Sequence, residues 1–412
     1  MKHSPKKIFL FLQGPPCCFF SRVAGGLKKH GHHCYKIHFC AGDWFSWREP
    51  NGISFRGTLK EWKDYIEQFI INKKVTTIVL NGDKKPYHRI AIQIAQKHSI
   101  SVVVTDYGYL RPGYLVLEKN GTGKDSLISK EKEMLDEIAS SLPNLNQREP
   151  INKNEFQKIF LIALSNILTS LFSSFYPNYC KPIDGNIFVI GIGFIVQFFK
   201  KKLFSIKTHQ LVECLAREAG DSPYFLFPLQ LDMDFQIRNS LKYKNQAVTL
   251  KEIITSFSQY APPHTRLVIK LHPMDPGLKP WEKLIKRLAR IHHISKRVFF
   301  LYEGSLDMLL SQCCGVVTIN SSVGLKAIEY GKPVKLLDQA IYDIKGLIFS
   351  GTLDRFWRLG EEVDQTFCND FIKVITQTLQ IRGDYFSKDG SALAVEQAVK
   401  RLNLDKLNQP LE

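Results

Sequence analysis

Short apolar runs alternate with helix-like segments along two separate stretches of this 412-residue chain. In the first stretch the strand-like runs are 8–12, 34–39, 77–80 and 101–105. The alternation restarts after about residue 222, with runs at 224–229, 266–271, 298–301 and 315–319. Strands that alternate with helices form βαβ units and a parallel sheet. The pattern therefore predicts an α/β protein with two Rossmann-like, doubly wound domains that face each other across a cleft.

The segment between the two stretches has a different composition. We place the first domain at 1–125, a connector at 126–220, the second domain at 221–385 and a C-terminal helix or tail at 386–412. The connector carries two apolar runs, 159–175 and 187–199, and the second run is followed at once by Lys200, Lys201 and Lys202. Both runs are shorter than the ~20 residues of a spanning helix. A membrane-surface segment and a buried helix and strand of an inserted subdomain both remain open.

The charge of the chain favours an anionic partner. It has 56 basic and 39 acidic side chains, a net charge of +17. This excess suits nucleic acid, acidic phospholipid or a nucleotide-activated sugar. Because the sequence contains no nucleic-acid recognition module, we do not expect nucleic acid as a partner. Nine cysteines without a C-x-x-C spacing indicate reduced thiols. The first apolar run is too short for a signal peptide, which predicts a protein that is not exported.

Polar residues follow two strand-like runs of the second half. The imidazole of His272, between Lys270 and Pro273, suits a phosphate oxygen, although a structural histidine is an alternative. A second group follows the run 315–319 and opens a helix, where hydroxyls and N–H groups can cap the helix or bind an anion. This second group comprises Asn320, Ser321 and Ser322.

Two carboxylates follow the first strand of the second half. Asp232 and Asp234 lie two residues apart and close in sequence to Arg238. Such a carboxylate can act as a nucleophile or a general base. The alternatives are a solvated salt bridge in a turn and, because Asp232-Met233-Asp234 formally fits D-x-D, a metal site.

Candidate residues of the first half also lie where strands end. Asp106 is a possible acid or base, and Arg111 can bind a carboxylate. Gly14 follows the first run, while Asp83 and His88 follow the third. Because these ends converge on one edge of a parallel sheet, we expect a shared substrate-side site there.

Taken in order, these motifs resemble capsular polysaccharide biosynthesis and export proteins of the KpsS/LipB type. The connector has no match, but the resemblance otherwise covers nearly the whole chain. The matching stretches are 11–15, 19–20, 39–43, 55–57, 81–88, 108–118, 228–238, 272–273, 320–324, 340–347 and 353–357.

The resemblance implies a GT-B glycosyltransferase with its donor held mainly by the second half. It implies a β-Kdo transferase that uses CMP-Kdo, with retention, on a (lyso)phospholipid or Kdo-lipid acceptor. It further implies a cytoplasmic protein, peripheral at the inner face of the cytoplasmic membrane, with neither cofactor nor metal. Its partners would be the CMP-sugar, the lipid or glycolipid acceptor, an anionic membrane surface and other capsule assembly proteins. A non-catalytic scaffold or export component is the alternative.

The same resemblance assigns roles to the donor-side residues. Gln230 and Asp234 fit a Q-x-x-x-D pattern, which implies Asp234 as the nucleophile. His272 and the Ser321-Ser322 pair would contact CMP, and Glu329 would meet the nucleotide.

Two further roles concern the sugar and the acceptor. Asp106 stands where the family pattern has a glutamate, which implies an acid or base with a shorter reach. Arg238 or Arg111 would pair with the carboxylate of Kdo.

Overall fold

The structure is a computed structural model that describes residues 6–145, 154–181, 187–231, 243 and 245–411. The chain forms two compact units. The first comprises residues 1–129, 133–182 and 371–412, and the second comprises 130–132 and 183–370. This division differs from the sequence-based boundaries, because the connector is shared between the units and the last 42 residues belong to the first unit.

The described residues contain these regular elements. The strands are β1 (Ile8–Phe11), β2 (His33–His38), β3 (Gly52–Ser54), β4 (Thr77–Asn81), β5 (Ser101–Tyr107), β6 (Tyr114–Lys119), β7 (Tyr224–Pro228), β8 (Arg266–Lys270), β9 (Val298–Leu301), β10 (Gly315–Thr318), β11 (Val334–Leu336) and β12 (Gln380–Arg382). The helices are α1 (Phe19–Lys29), α2 (Ala41–Phe45), α3 (Leu59–Lys73), α4 (Pro86–Lys97), α5 (Lys132–Ser141), α6 (Glu155–Leu171), α7 (Ile187–Arg217), α8 (Gln246–Tyr260), α9 (Trp281–Ile291), α10 (Leu306–Gln312), α11 (Ser322–Glu329), α12 (Leu353–Leu359), α13 (Gln365–Thr378) and α14 (Lys388–Leu404).

The first unit is built on a seven-stranded sheet in the order β12-β6-β5-β4-β1-β2-β3. Strands β1 to β5 are parallel, whereas β6 and β12 are antiparallel to their neighbours. Successive residues of a strand point to opposite faces. Accordingly, Phe9 and Phe11 enter one hydrophobic cluster, and Leu10 and Leu12 enter another on the opposite face. Both faces of the sheet are therefore covered, as in a doubly wound fold.

The second unit is built on a five-stranded parallel sheet in the order β11-β10-β7-β8-β9. Counted from the first strand of each unit, both sheets contain the Rossmann order 3-2-1-4-5. The predicted α/β fold with two Rossmann-like sheets is thus confirmed. In this order the chain changes direction between the first and fourth strands, β1 and β4 in one sheet and β7 and β10 in the other. Ligands of such folds bind beyond the carboxyl ends of the strands at this switch point.

The C-terminal segment completes the first unit. Strand β12 pairs antiparallel with β6, so that Ile381 lies opposite Leu115. Helix α14 packs closely on α1, where a Cβ on Gly26 would lie 2.5 Å from the Val399 side chain. The segment predicted as a separate tail is therefore part of the first core.

Both apolar runs of the connector are helical, as parts of α6 and α7. Several large side chains of these runs are exposed to a degree unusual for apolar residues, for example 72% for Leu171 and 63% for Phe199. The first run is a helix, as the alternative of a buried helix and strand expected, and its Leu161 and Ile162 pack against the core of the first unit; the second run is a helix and not the expected strand. Among the described residues, no helix has the length and apolar character needed to cross a membrane.

Candidate functional site

At the switch point of the second sheet, Gln230 and Asn320 are joined by hydrogen bonds. Gln230 follows β7 and Asn320 follows β10, and these two strands are neighbours. The Gln230 Nε2 donates to Asn320 Oδ1 at 3.0 Å, and the Asn320 backbone N–H donates to Gln230 Oε1 at 3.3 Å. Gln246 holds Gln230 in turn, since its Oε1 accepts from the Gln230 N–H at 3.1 Å. The sequence predicted both residues for the donor side, and the structure joins them.

Helix α11 begins directly beside this pair. Ser321 is its N-cap residue, and its hydroxyl accepts a hydrogen bond from the Val323 N–H at 3.2 Å. The Tyr342 hydroxyl donates to the Ser321 carbonyl, which fixes the turn. Ser322 occupies the first helical position. The N–H groups of the first turn and the hydroxyl of Ser322 are suited to an anion at this sheet edge.

The loop after β8 lies on the other side of β7. Lys270 ends β8 and is buried, and burial together with nearby Lys201 lowers its pKa, although Glu303 opposes the shift. His272 Nδ1 accepts a hydrogen bond from the Met274 N–H at 3.0 Å. Nδ1 is therefore unprotonated and the neutral ring carries its proton on Nε2, a donor suited to phosphate.

The neighbouring Pro273 is exposed, and its carbonyl accepts a hydrogen bond from Lys201 of α7 at 2.6 Å. This contact places α7 directly against the His272 loop. It also shows that Lys201 is engaged within its own unit.

The remaining candidates of the second half are Asp232, Asp234, Arg238 and Glu329. Asp232, Asp234 and Arg238 lie outside the described residues. Glu329 ends α11, about 10 Å along the helix axis from Ser322. Because Glu329 lies at the opposite end of α11 and acts electrostatically on Cys368, the structure does not bring it to Ser321 and Ser322.

The switch point of the first sheet brings Gly14 and Asp83 to the ends of the neighbouring strands β1 and β4. A Cβ on Gly14 would lie 2.7 Å from the Phe20 ring, so the close approach of that ring requires glycine. Asp83 is buried, with Oδ2 paired to Lys84 at 3.0 Å, while its Oδ1 has no hydrogen-bond partner among the described residues.

His88 is fully buried in the first turn of α4 below this edge. Its Nδ1–H donates to the Gly82 carbonyl at 2.6 Å. Burial and nearby Lys85 hold the pKa of His88 well below its usual value, so the ring is neutral and its Nε2 is an acceptor. Within the described part of the chain this Nε2 has no hydrogen-bond partner.

Asp106 and Arg111 belong to the neighbouring end of β5. The Asp106 Oδ1 accepts from the Tyr107 N–H at 2.7 Å. Arg111 is exposed, its Nε donates to the Gly108 carbonyl at 2.9 Å, and its guanidinium lies 5.3 Å from the centre of the Tyr107 ring. Asp106 thus shares one edge with Gly14 and Asp83, and Arg111 lies on the loop that follows.

Sequence reasoning missed two lysines at this edge. Lys36 is buried, and its ammonium donates to the Leu12 carbonyl at 2.7 Å and contacts Asp43 at 3.3 Å. Burial lowers the pKa of Lys85 to about 8, against the opposing attraction of Asp43 and Asp106. A lysine inside an apolar strand was the signal for Lys36, whereas Lys85 had none that distinguished it from Lys84.

The described residues contain no group of three or more His, Cys, Asp or Glu side chains arranged to hold a metal ion. All nine cysteines are unpaired thiols.

Comparison with known proteins relates both units to capsule proteins. A model of the family described as capsule polysaccharide biosynthesis protein matches residues 76–386. The capsule polysaccharide export protein KpsS of Escherichia coli is 28% identical over 381 residues, covering 92% of this chain and 97% of that protein. The capsule polysaccharide modification protein LipB of Neisseria meningitidis serogroup A is 29% identical over 395 residues, covering 92% and 91%. A solved structure, the β-Kdo 2,7 transferase KpsC of Thermosulfurimonas dismutans, aligns with 97% of this chain and 100% of that chain, with 15% identity and a TM-score of 0.45.

Proposed function

The chain belongs to the capsule polysaccharide biosynthesis protein family, and from this membership we propose that it is a glycosyltransferase that uses CMP-Kdo. The observation that carries the proposal is the Gln230–Asn320 pair at the switch point of the second sheet. It anchors Ser321 and Ser322 at a helix N-terminus, where the phosphate of CMP would accept hydrogen bonds. His272 would donate to the same phosphate from the neighbouring loop.

Retention of configuration requires two displacements. In the first, the Asp234 carboxylate forms a bond to the anomeric carbon while the bond to the phosphate oxygen breaks and CMP departs. In the second, the acceptor hydroxyl oxygen replaces Asp234 at that carbon, and its proton passes to a base, for which we propose Asp106. Arg238 or Arg111 would pair with the sugar carboxylate, and neither a cofactor nor a metal takes part.

We propose that the acceptor is a (lyso)phospholipid or Kdo-lipid at the inner face of the cytoplasmic membrane. At the end of the first sheet the acceptor side would be formed by Gly14, Asp83, His88 and Arg111, beside the proposed base Asp106. Because His88 Nε2 and Asp83 Oδ1 are buried acceptors without partners among the described residues, a hydroxyl-bearing group bonded to either would satisfy it.

Incubation of the protein with CMP-Kdo and a lysophospholipid tests the proposal directly. We expect release of CMP and a mass gain of one or more Kdo units on the lipid. Asp234→Ala should abolish both while CMP still binds, and His272→Ala should weaken CMP binding. Intact CMP binding without turnover by the unaltered protein would refute the transferase.

A scaffold or export component is the second candidate, because the Escherichia coli relative is named an export protein. A scaffold does not need a donor site. Stoichiometric association with other capsule assembly proteins that survives loss of CMP binding, together with no turnover, would favour it.

A further inference from the structure

Helix α7 carries an exposed apolar stripe along one side. Ile192, Val196, Phe199, Leu203 and Ile206 are spaced alternately by four and three residues and are each 44–74% exposed. At 3.6 residues per turn they fall within an arc of about 80°. The opposite side of the helix is anchored to the second unit through buried Gln197, Thr208 and Val212, among others. The stripe therefore points away from the core of its own unit.

Basic side chains border this stripe on both sides. The helical positions of Lys200 and Lys207 lie on one flank and that of Lys202 on the other. No acidic residue occurs in α7 before Glu213. An apolar stripe between lysines is the pattern of a helix that lies in the surface of an anionic bilayer, with its lysines at the head groups.

A pocket of about 140 Å³ lies at the Lys200 flank of α7. It is many times larger than a single water requires. Exposed Lys200, Lys279 and Lys283 contribute to its lining, with Trp281 and Tyr302 as aromatic walls. Tyr302 also stacks on Phe204 of α7 at 5.2 Å, which ties the pocket to the helix.

Two hydrogen-bond donors of the pocket have no side-chain partner among the described residues, the Gln197 amide and the N-terminus of α9. Gln197 lines it with 3% of its surface exposed, and its Nε2 donor has no partner among the described residues. Helix α9 begins at the pocket, and no described side chain caps its N-terminus.

The acidic residues that line the pocket are already engaged. Asp275 accepts from the Gly277 N–H at 2.7 Å and from the Trp281 indole N–H at 3.2 Å. Glu282 accepts from the Tyr302 hydroxyl and pairs with Lys286, both at 2.7 Å. An uncapped helix N-terminus beside a buried, unsatisfied amide donor and three lysines is chemically suited to a phosphate.

We propose that this pocket binds the phosphate of an anionic phospholipid while the α7 stripe rests in the adjoining acyl region. The inference rests on the proposed function, because a transferase acting on a lipid acceptor must work at a bilayer. It adds a second lipid site, which is lined by α7 and by residues that follow β8 or lie at the end of β9, and none of these lining residues is among those proposed for donor or acceptor. A lipid rather than a free anion is the occupant, because the pocket opens beside an apolar surface that only a membrane or another protein would cover.

Co-sedimentation with vesicles tests this site in the full chain. We expect binding to phosphatidylcholine vesicles that contain phosphatidylglycerol, and weak binding to phosphatidylcholine alone. Replacing Lys200, Lys279 and Lys283 together by alanine should weaken binding about a hundredfold, from the usual contribution of a lysine at an anionic surface. The matched control replaces Lys251, Lys296 and Lys345, which are exposed lysines elsewhere in the same unit, and should change binding less than threefold.

The stripe is tested by replacing Phe199, Leu203 and Ile206 by serine, which should also reduce vesicle binding at least tenfold. If the two triple lysine variants lose vesicle binding equally, binding follows net charge and the proposed role of the pocket is refuted. Unchanged vesicle binding in the stripe variant, with loss of a self-associated form in solution, would instead identify the stripe as a contact between copies. If inorganic phosphate releases the protein completely from the vesicles, and does so through the pocket lysines, the pocket is a site for a free anion and not for a lipid.

Transfer to a short-chain, monomeric acceptor separates this inference from the proposed function. The pocket triple should keep that activity, because its residues are not among those proposed to bind donor or acceptor. If transfer occurs but the variants do not differ in vesicle binding, the lipid site is refuted and the proposed function is not. If vesicle binding changes as expected but no form of the protein transfers Kdo, the proposed function is refuted and the lipid site is not. Thermal unfolding of each variant verifies that it is folded.

Discussion

Replacing Gln230 by methionine tests whether the amide pair at the second switch point holds the donor site. The change keeps side-chain length but removes both hydrogen bonds to Asn320, at 3.0 and 3.3 Å. At about 1 kcal/mol for each bond, the second unit should lose about 2 kcal/mol. For a unit of roughly 150–250 residues this corresponds to a decrease in Tm of about 4–8 °C.

The effect on the donor follows from the same loss. Without Gln230 the turn at Asn320 and Ser321 is no longer held in place, so that CMP must order the turn when it binds. If about 1.4 kcal/mol of the 2 kcal/mol falls on binding, the Kd for CMP rises about tenfold. Isothermal titration with CMP and differential scanning calorimetry measure the two quantities on the same samples.

Ser256→Ala provides the matched control in the same unit. The Ser256 hydroxyl donates to Asp354 at 2.5 Å and accepts from the Trp357 indole at 2.8 Å, so this variant also loses two hydrogen bonds. It should lower Tm by a similar amount and leave the Kd for CMP unchanged. A Gln230→Met protein with lowered Tm but unaltered CMP affinity would refute the role of the pair in donor binding.

Three further outcomes are expected. Gly324→Ala should lower the free energy of unfolding by about 1–3 kcal/mol, because its Cβ would lie 2.2 Å from the Tyr342 hydroxyl oxygen. In urea unfolding, adding Tyr342→Phe should recover part of that loss, and strictly additive losses would contradict the clash. Burial lowers the pKa of His38 to about 4 in the folded protein, so that on acidification the unfolded chain takes up this proton at a higher pH than the folded chain does. His38 should therefore reduce the free energy of unfolding by about 3 kcal/mol as the pH drops from 6.5 to 4. His38→Gln should flatten that slope in urea midpoints taken across the range, and an unchanged slope would argue against it. Asp234→Asn should abolish Kdo transfer with the Kd for CMP within twofold, and retained transfer would remove Asp234 as the nucleophile.

Eight of the parallel strands were predicted because their signal is local, whereas the three-residue parallel strands β3 and β11 were missed. Runs such as the one containing Phe9 and Leu10 are apolar on both faces, which is typical of a strand buried in a doubly wound sheet. Strand β12 gave no such signal. It has three residues, of which Ile381 alone is aliphatic, and it exists because a distant segment pairs with β6.

Helix α7 shows a different limit of sequence reasoning. Its run of isoleucine, valine and phenylalanine is compatible with a strand or a helix, and periodicity cannot decide between them in a short apolar stretch. That Leu203 and Ile206 are exposed depends on which side of the helix packs against the unit, which is tertiary information.

The candidate site was predictable as single residues but not as contacts. The positions of Gln230 and Asn320 after neighbouring strands follow from the strand order. Their mutual hydrogen bonds depend on side-chain geometry 90 residues apart in sequence. The pairing of buried Lys36 with Asp43 is likewise a product of packing, because a lysine inside an apolar strand is a signal of burial but does not identify its partner.

The return of the C-terminal segment into the first unit sets an order for synthesis. Strand β6, with the sequence Tyr114–Lys119, emerges from the ribosome more than 250 residues before its partner β12. At translation rates of roughly 5–20 residues per second, this interval lasts on the order of 10–50 s. During that time the apolar edge of β6 is open to pairing with other chains, a recognised route to aggregation. The sheet of the first unit therefore becomes complete only when the segment that contains β12 has been synthesised.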